Sequence, residues 1–268
     1  MKKFGILYIC TWKYDVFWWE FYDSCEKNLL VDWNYEKHYF VWTDSDKIKS
    51  DDRIHVFYQK DLGRPNNTLK RFHLFLSKKN ELEKMDYLFF FNANLIVNMP
   101  VWEEILPNDD DVLVVSVTHP RYFKKDNSKF TYDRNPKSTA YIRKGEWSYY
   151  VQWWLNWWSK DCFLKMCKIL DHNINIDEKN WVIALWHDES HINRYVYDLE
   201  MNWFWDKYKV LPPSFLYPED SNFSFPAKII MRDKSRYFNV FKVKKTKAWL
   251  FDLCLFIVKK ILRKLNIR

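Results

Sequence analysis

The chain reads as an open α/β sheet with helices packed against it, and three observations predict this. Strand-like and helix-like hydrophobic patterns alternate along its N-terminal part. The runs Phe4 to Cys10 and Tyr87 to Phe91 are continuously apolar, as strands covered on both faces are. A length of 268 residues is ample for one such sheet with a substantial core. Open sheets bind ligands beyond the carboxyl ends of their strands, so a site is expected in the loops after Cys10, Phe91 and Leu185.

Taken in order, Phe4 to Cys10 is a buried strand and Asp15 to Leu30 an amphipathic helix. His38 to Thr43 is a second strand, ending at the turn Asp44-Ser45-Asp46, and Arg53 to Gln59 is a third. After Gly63-Arg64-Pro65, Asn66 or Asn67 can cap a helix that runs to about Lys79 and places Leu69, Phe72, Phe75 and Leu76 on one face. Tyr87 to Phe91 follows as a strand. A helix from Ser159 to Leu170 carries Cys162, Phe163, Met166, Cys167 and Leu170 at helical spacing, which makes the two cysteines core residues.

A formal charge of +8 and 20% aromatic residues admit nucleic acid, anionic membrane or phosphorylated small molecules as partners. The five cysteines form no C-x-x-C pair and are odd in number, which argues against a zinc site and a disulfide framework and for a reducing cytoplasm. The two lysines and apolar run at the N-terminus lack a small-residue cleavage site, so that run is a first strand and not a secretory signal.

The densest chemistry lies in Trp186-His187-Asp188-Glu189-Ser190-His191-Ile192-Asn193. Two adjacent carboxylates at a rim suit sugar chemistry: one stabilises a cationic reaction centre while its neighbour grips hydroxyls. The plainer reading is a helix N-terminus, with Asp188 and Glu189 at the positive end of the dipole and Ser190 as cap. The octapeptide closely resembles the WHDESHLN signature of glycosyltransferase family 6, the family of the blood-group A and B transferases and their bacterial relatives. A second resemblance is Asn92-Ala93-Asn94 after the strand Tyr87 to Phe91. In GT-A nucleotide-sugar transferases an Asp-x-Asp at this place holds a divalent cation, whereas amide oxygens are weak ligands for a hard cation. The segment resembles the metal-independent bacterial branch of the family, so no metal is expected.

The resemblance runs in order from Ile6 to about Lys234, and it implies a GT-A-like open mixed sheet and roles for named residues. Tyr8, Ile9, Cys10 and Thr11, with Tyr14, resemble the uridine-binding first loop. Arg71 resembles a donor-sugar contact, and Asn92, Asn94 and Asp188 complete that side. Arg232 and Lys234 resemble a tail that closes over the pyrophosphate; fixed cations there would neutralise leaving UDP without a metal. His119, Thr131, Gln152, Trp186 and His187 are implicated toward the acceptor, and Glu189 as the catalytic carboxylate. Tyr149 to Trp158 aligns with a family segment that ends in pairs of small residues and that relatives bury as a loop against the donor sugar, and Arg121 stands where relatives usually have glycine. The implied activity is retaining transfer of galactose or N-acetylgalactosamine from UDP to the 3-hydroxyl of a galactose in a fucosylated acceptor. A catalytically dead sugar-binding relative would lack Glu189 or Asp188. A nucleic-acid-binding protein would interleave basic and aromatic residues along a strand face, and here the basic residues gather at the tail.

Residues 1–241 are read as the catalytic domain. Residues 242–268 are read as a basic amphipathic helix, too short to span a bilayer but suited to an anionic interface, with a helix docked on the domain as the rival reading. This predicts a cytoplasmic enzyme peripheral to the inner face of the membrane, acting on an oligosaccharide or lipid-linked glycan.

One feature of composition stands apart. The chain has 3 glycines and 16 tryptophans, while average usage of about 7% glycine would give about nineteen glycines, the number that the two residue types together supply. Trp12, Trp102, Trp147, Trp153, Trp154, Trp157, Trp158 and Trp181 stand where family relatives have glycine or another small residue, whereas Trp186 and Trp18 match family tryptophans. The pattern predicts a gene whose UGA codons are read as glycine in its own cell. A small residue at position 154 would leave room for an N-acetyl group on the donor.

Overall fold

The computed structural model describes residues 1–106, 114–146, 149–201 and 208–238. The chain divides into two compact units, residues 1–231 and 232–268. In the first unit β1 (Lys2–Ile9) leads through a 3-10 turn at Tyr14–Phe17 to α1 (Trp18–Asn28), then β2 (Tyr35–Thr43) and β3 (Ile54–Tyr58). Three short helices follow, α2 (Asn66–Leu69), α3 (Arg71–Leu76) and α4 (Lys79–Leu82), and then β4 (Tyr87–Asn92) and β5 (Leu95–Val97). β6 (Val114–Thr118) and β7 (Val151–Ser159) precede the two long helices α5 (Lys160–Lys179) and α6 (Asp188–Met201). β8 (Tyr208–Leu211), β9 (Tyr217–Pro218) and β10 (Ile229–Met231) end the unit. Of the second unit the described part is Arg232 to Phe238 with α7 (Lys234–Tyr237); the predicted tail, 242–268, lies outside the described residues.

The main sheet has the order β3-β2-β1-β4-β7-β6-β8. β1 to β4 run parallel, β7 is antiparallel to both neighbours, and β6 and β8 are parallel. A smaller sheet has the order β5-β10-β9. The expected mixed α/β sheet with flanking helices is therefore present. Its strands alternate between two cores because successive side chains leave a strand on opposite faces. Phe4, Ile6 and Tyr8 of β1 and Phe89 and Phe91 of β4 pack under α1, while Leu7, Phe40, Trp42 and Phe90 pack with α3, α5 and α6 on the other face. Gly5 permits this close approach, since a Cβ there would stand 2.7 Å from Leu88 Cδ2.

Three expectations are corrected. The helix from Asn66 to Lys79 is broken into α2, α3 and α4, and Asn67 caps nothing downstream: its Oδ1 accepts the backbone N–H of Leu62 at 2.8 Å, holding the preceding loop. The segment from Val151 is a strand, β7, and not a loop. The α5 helix runs on to Lys179, because Ile174 and Asp177 continue its buried face beyond Leu170.

The end of α5 has a Schellman geometry. Val182 N–H donates to Asp177 O at 2.8 Å and Trp181 N–H to Glu178 O at 3.0 Å. Trp181 sits at φ +55°, the left-handed position that such a terminus normally gives to glycine, and its side chain is 96% exposed. Trp12, after β1, also lies at positive φ, +62°.

Candidate active site

The sheet register brings two of the expected loops together. Ile9 pairs with Asn92 across β1 and β4, so the loops that leave these strands start side by side. In the first loop, Tyr8 and Cys10 turn their side chains into the core, a consequence of strand alternation. Tyr8 Oη donates to Ala93 O at 2.7 Å, tying β1 to the asparagine turn, and burial pushes the Cys10 thiol up to about 12. Both can meet a ligand only through their main chain. Ile9 and Tyr14 are half-buried and Thr11 is buried; burial raises the Tyr14 hydroxyl to about 12, which keeps it a neutral donor. In the turn itself Asn92 Nδ2 donates to Asn94 Oδ1 at 2.8 Å, so the two amides spend part of their capacity on each other. Among the described residues no group of three His, Cys, Asp or Glu side chains is placed to hold a metal ion.

The octapeptide forms the start of α6, as the plainer sequence reading has it, with Asp188 and Glu189 in the first turn. Its entry is clamped. Asp133 Oδ2 accepts the Leu185 N–H at 2.7 Å, and Ser190 reaches back to accept the Trp186 N–H at 2.9 Å. His187 takes the left-handed conformation at φ +52°, with Nδ1 3.1 Å from Thr68 Oγ1. Strain of this kind persists where the surroundings over-determine it. Further along the helix Asn193 locks α6 to β7: its Oδ1 accepts from Val151 N–H and its Nδ2 donates to Val151 O, both at 3.0 Å. His191 is buried and held neutral, its pKa lowered to about 4 by burial against the pull of Asp177.

The two carboxylates have different surroundings. Asp188 is buried, with Oδ2 2.7 Å from Arg71 Nη1, and Arg71 is equally buried with its guanidinium 4.4 Å from the centre of the Phe90 ring. The pair is close but out of line for a hydrogen bond, and Oδ2 is closed to solvent. Burial raises Asp188 to about 6, and the guanidinium only partly offsets it. Glu189 is half-buried, and its Oε1 accepts a hydrogen bond from Tyr150 Oη at 2.8 Å.

Tyr150 is the residue that sequence reasoning missed. It is buried and joins the expected acceptor residues. Thr131 Oγ1 lies 3.4 Å from its hydroxyl and also meets Trp186 Nε1 and Tyr122 Oη, each at 2.8 Å. The His119 ring stands edge-on to it at 5.7 Å, and His119 N–H donates to Tyr150 O at 3.1 Å. Burial, with Arg121 adding to it, lowers His119 to about 4, so the imidazole is neutral at physiological pH. His119 and Gln152 further line an open cavity of about 350 Å³ together with Arg121, Phe223 and Met231, a size at the lower end of small-molecule sites. The place where Arg121 replaces the usual glycine has φ values that suit any residue, since Arg121 lies within the 3-10 turn Pro120–Tyr122. Arg232 and Lys234 belong to the second unit, in which the Arg232 guanidinium lies 5.5 Å from the Tyr237 ring centre and Asp233 caps α7 through Ser235 N–H.

A buried arginine–aspartate pair, a half-exposed glutamate on the next residue and a cluster of hydroxyl, imidazole and indole groups beside them make a site for a polyhydroxylated substrate. Residues 3–250 match glycosyltransferase family 6, and the chain belongs to that family of enzymes. It is 32% identical over 234 residues to the O-antigen biosynthesis glycosyltransferase WbnI of Escherichia coli, covering 87% of this chain and 95% of that one. It is 26% identical to globoside alpha-1,3-N-acetylgalactosaminyltransferase 1 of Gallus gallus (78% of this chain, 63% of the relative) and 25% identical to histo-blood group ABO system transferase 1 of Rattus norvegicus (72% and 56%). The chain thus spans nearly all of the bacterial relative and less than two thirds of these animal ones. The match enters the stretch read as the tail, ending at residue 250. Among the described residues no helix is long and apolar enough to cross a membrane.

Proposed function

We propose that the protein is a retaining, metal-independent α-1,3 hexosyltransferase that moves galactose or N-acetylgalactosamine from a UDP-sugar to the 3-hydroxyl of a galactose in a fucosylated, oligosaccharide or lipid-linked glycan. The observation that carries this reading is the division of labour at the start of α6. Asp188, fixed beside Arg71 at 2.7 Å, is the carboxylate that this reading gives to the donor-sugar hydroxyls. Glu189, half-exposed and oriented by Tyr150, is suited to face the anomeric carbon. As the bond to UDP lengthens, positive charge grows on that carbon, and a fixed carboxylate stabilises it as nucleophile or as counter-charge.

The leaving diphosphate needs the opposite charge. Asn92 and Asn94 offer amides where a metal-binding loop would offer carboxylates, so this reading gives neutralisation to Arg232 and Lys234, and it gives ribose and phosphate hydrogen bonds to the asparagine turn. His119, Thr131, Gln152, Trp186 and His187 then form the acceptor side, with neutral His119 able to accept or donate one hydrogen bond. The names of the relatives support an O-antigen or blood-group-like acceptor. Transfer and donor hydrolysis measured with UDP-galactose and UDP-N-acetylgalactosamine side by side test the reading. One of the two donors should be turned over faster in the presence of a galactosyl acceptor, and no turnover of either would overturn it.

A further inference from the structure

We infer that Tyr150 is the positioning residue of the catalytic carboxylate, an inference that rests on the role proposed for Glu189. Its hydroxyl donates to Glu189 Oε1 at 2.8 Å, and burial keeps it protonated by raising its pKa far above the usual phenol range. A buried phenol that cannot ionise offers the carboxylate a donor at every working pH. It restricts the rotamers of Glu189. The phenol is itself fixed on every side. Its ring lies in a nest of Tyr122, Phe130 and Tyr132, with centroids at 4.6, 5.9 and 5.3 Å. The next residue, Val151, is bolted to α6 by both ends of the Asn193 amide, one turn beyond Glu189, whose carbonyl accepts from the same Asn193 Nδ2 at 2.9 Å. Strand β7 and helix α6 are thereby held in one register, and Tyr150 and Glu189 move together. Through Thr131 the same hydroxyl also touches the group that orients Trp186, so acceptor side and carboxylate share one anchor.

Tyr150→Phe keeps the ring and removes only the donor. It should lower kcat by about tenfold to a hundredfold, the range for losing a hydrogen bond to a charged group, with UDP affinity and donor KM unchanged. In the Glu189→Gln background the same change should cost almost nothing further, because the two residues act as a unit. Wild-type kcat in Tyr150→Phe overturns the inference, and so does an equal loss in both backgrounds, which would mark a purely structural role. Near wild-type turnover in Glu189→Gln alone would instead remove the role assigned to Glu189.

A second inference rests on backbone conformation taken together with composition. The geometry points to glycine at positions 12 and 181 in the protein as its own cell makes it. Trp18 and Trp42 are buried, the first against Tyr8, Phe21 and Tyr39 and the second against Phe57 and Phe75. Their indoles pack, and tryptophan belongs there. Trp181 occupies the left-handed position of a Schellman terminus with its indole in solvent, and Trp12 is left-handed too. L side chains rarely adopt this conformation and glycine adopts it freely; Leu30, Lys124 and His187 are left-handed as well, so it is the excess of tryptophan beside the deficit of glycine that singles out these two positions. Together with 3 glycines against 16 tryptophans, this is the trace of UGA codons that the cell reads as glycine. The gene should show UGA at 12 and 181 and UGG at 18 and 42, and peptides of the protein purified from its source should carry glycine at the first two positions. UGG at 12 and 181, or tryptophan in those peptides, overturns it. Assays of transfer then belong to the glycine-bearing protein.

Discussion

Replacing Trp181 by glycine should stabilise the fold, and the size of the effect follows from the end of α5. A non-glycine residue in the left-handed region costs roughly 1–2 kcal/mol, and Trp181 is held there at φ +55° by the two hydrogen bonds that close the helix. Glycine removes that strain but gains freedom in the unfolded chain, which gives back roughly 0.5–1 kcal/mol. Little packing is lost because the indole is 96% exposed. The net gain is roughly 0.5–1 kcal/mol, or about 1–4 °C in Tm for a domain of this size. Urea or thermal unfolding of Trp181→Gly beside Trp181→Ala measures it. Alanine discards the indole and keeps the Cβ, so only the glycine variant should gain. Equal behaviour of the two variants, or a loss in Trp181→Gly, would refute the steric reasoning.

Three further outcomes are expected. Activity should survive excess EDTA and gain little from added manganese, because Asn92 and Asn94 replace carboxylates; loss in EDTA that manganese restores would contradict this. The acid limb of kcat/KM for the donor should lie near pH 6, since burial raises Asp188 to about 6 and activity falls as protonation removes its charge on going below that pH. A limb in the ordinary carboxylate range would show that Asp188 is not required ionised. Truncation before Lys242 should release the protein from anionic vesicles while leaving transfer to a soluble acceptor largely intact, and equal vesicle binding with and without the tail rules out an interfacial helix.

Much of the site was legible in the sequence because its residues are adjacent in the chain. Asp188 and Glu189 are neighbours, and the plain rule that acids favour a helix N-terminus already placed them on α6. The strands β1 and β4 were legible as apolar runs, and the loops that leave them as places for a ligand, but that the two strands are neighbours is shown only by the sheet register. What was not legible depends on partners distant in sequence. Tyr150 meets Glu189 only because Asn193 registers β7 on α6, and no local pattern announces a phenol aimed at a carboxylate. β7 itself was hidden because the resemblance implied a loop there and its run of tryptophans shows no apolar–polar alternation to correct it. Strand alternation could have shown that Tyr8 faces the core, since Phe4, Ile6 and Tyr8 share one face. The break between α2 and α3 was invisible because the apolar period continues across it, from Leu69 to Phe72 and Phe75.

The central claim is that Glu189 faces the reacting carbon, and Glu189→Gln tests it most directly. An amide keeps the size of the side chain and cannot balance a developing cation. UDP binding measured by calorimetry should be retained while transfer falls by at least about a hundredfold; turnover near wild type with UDP binding intact would contradict the account.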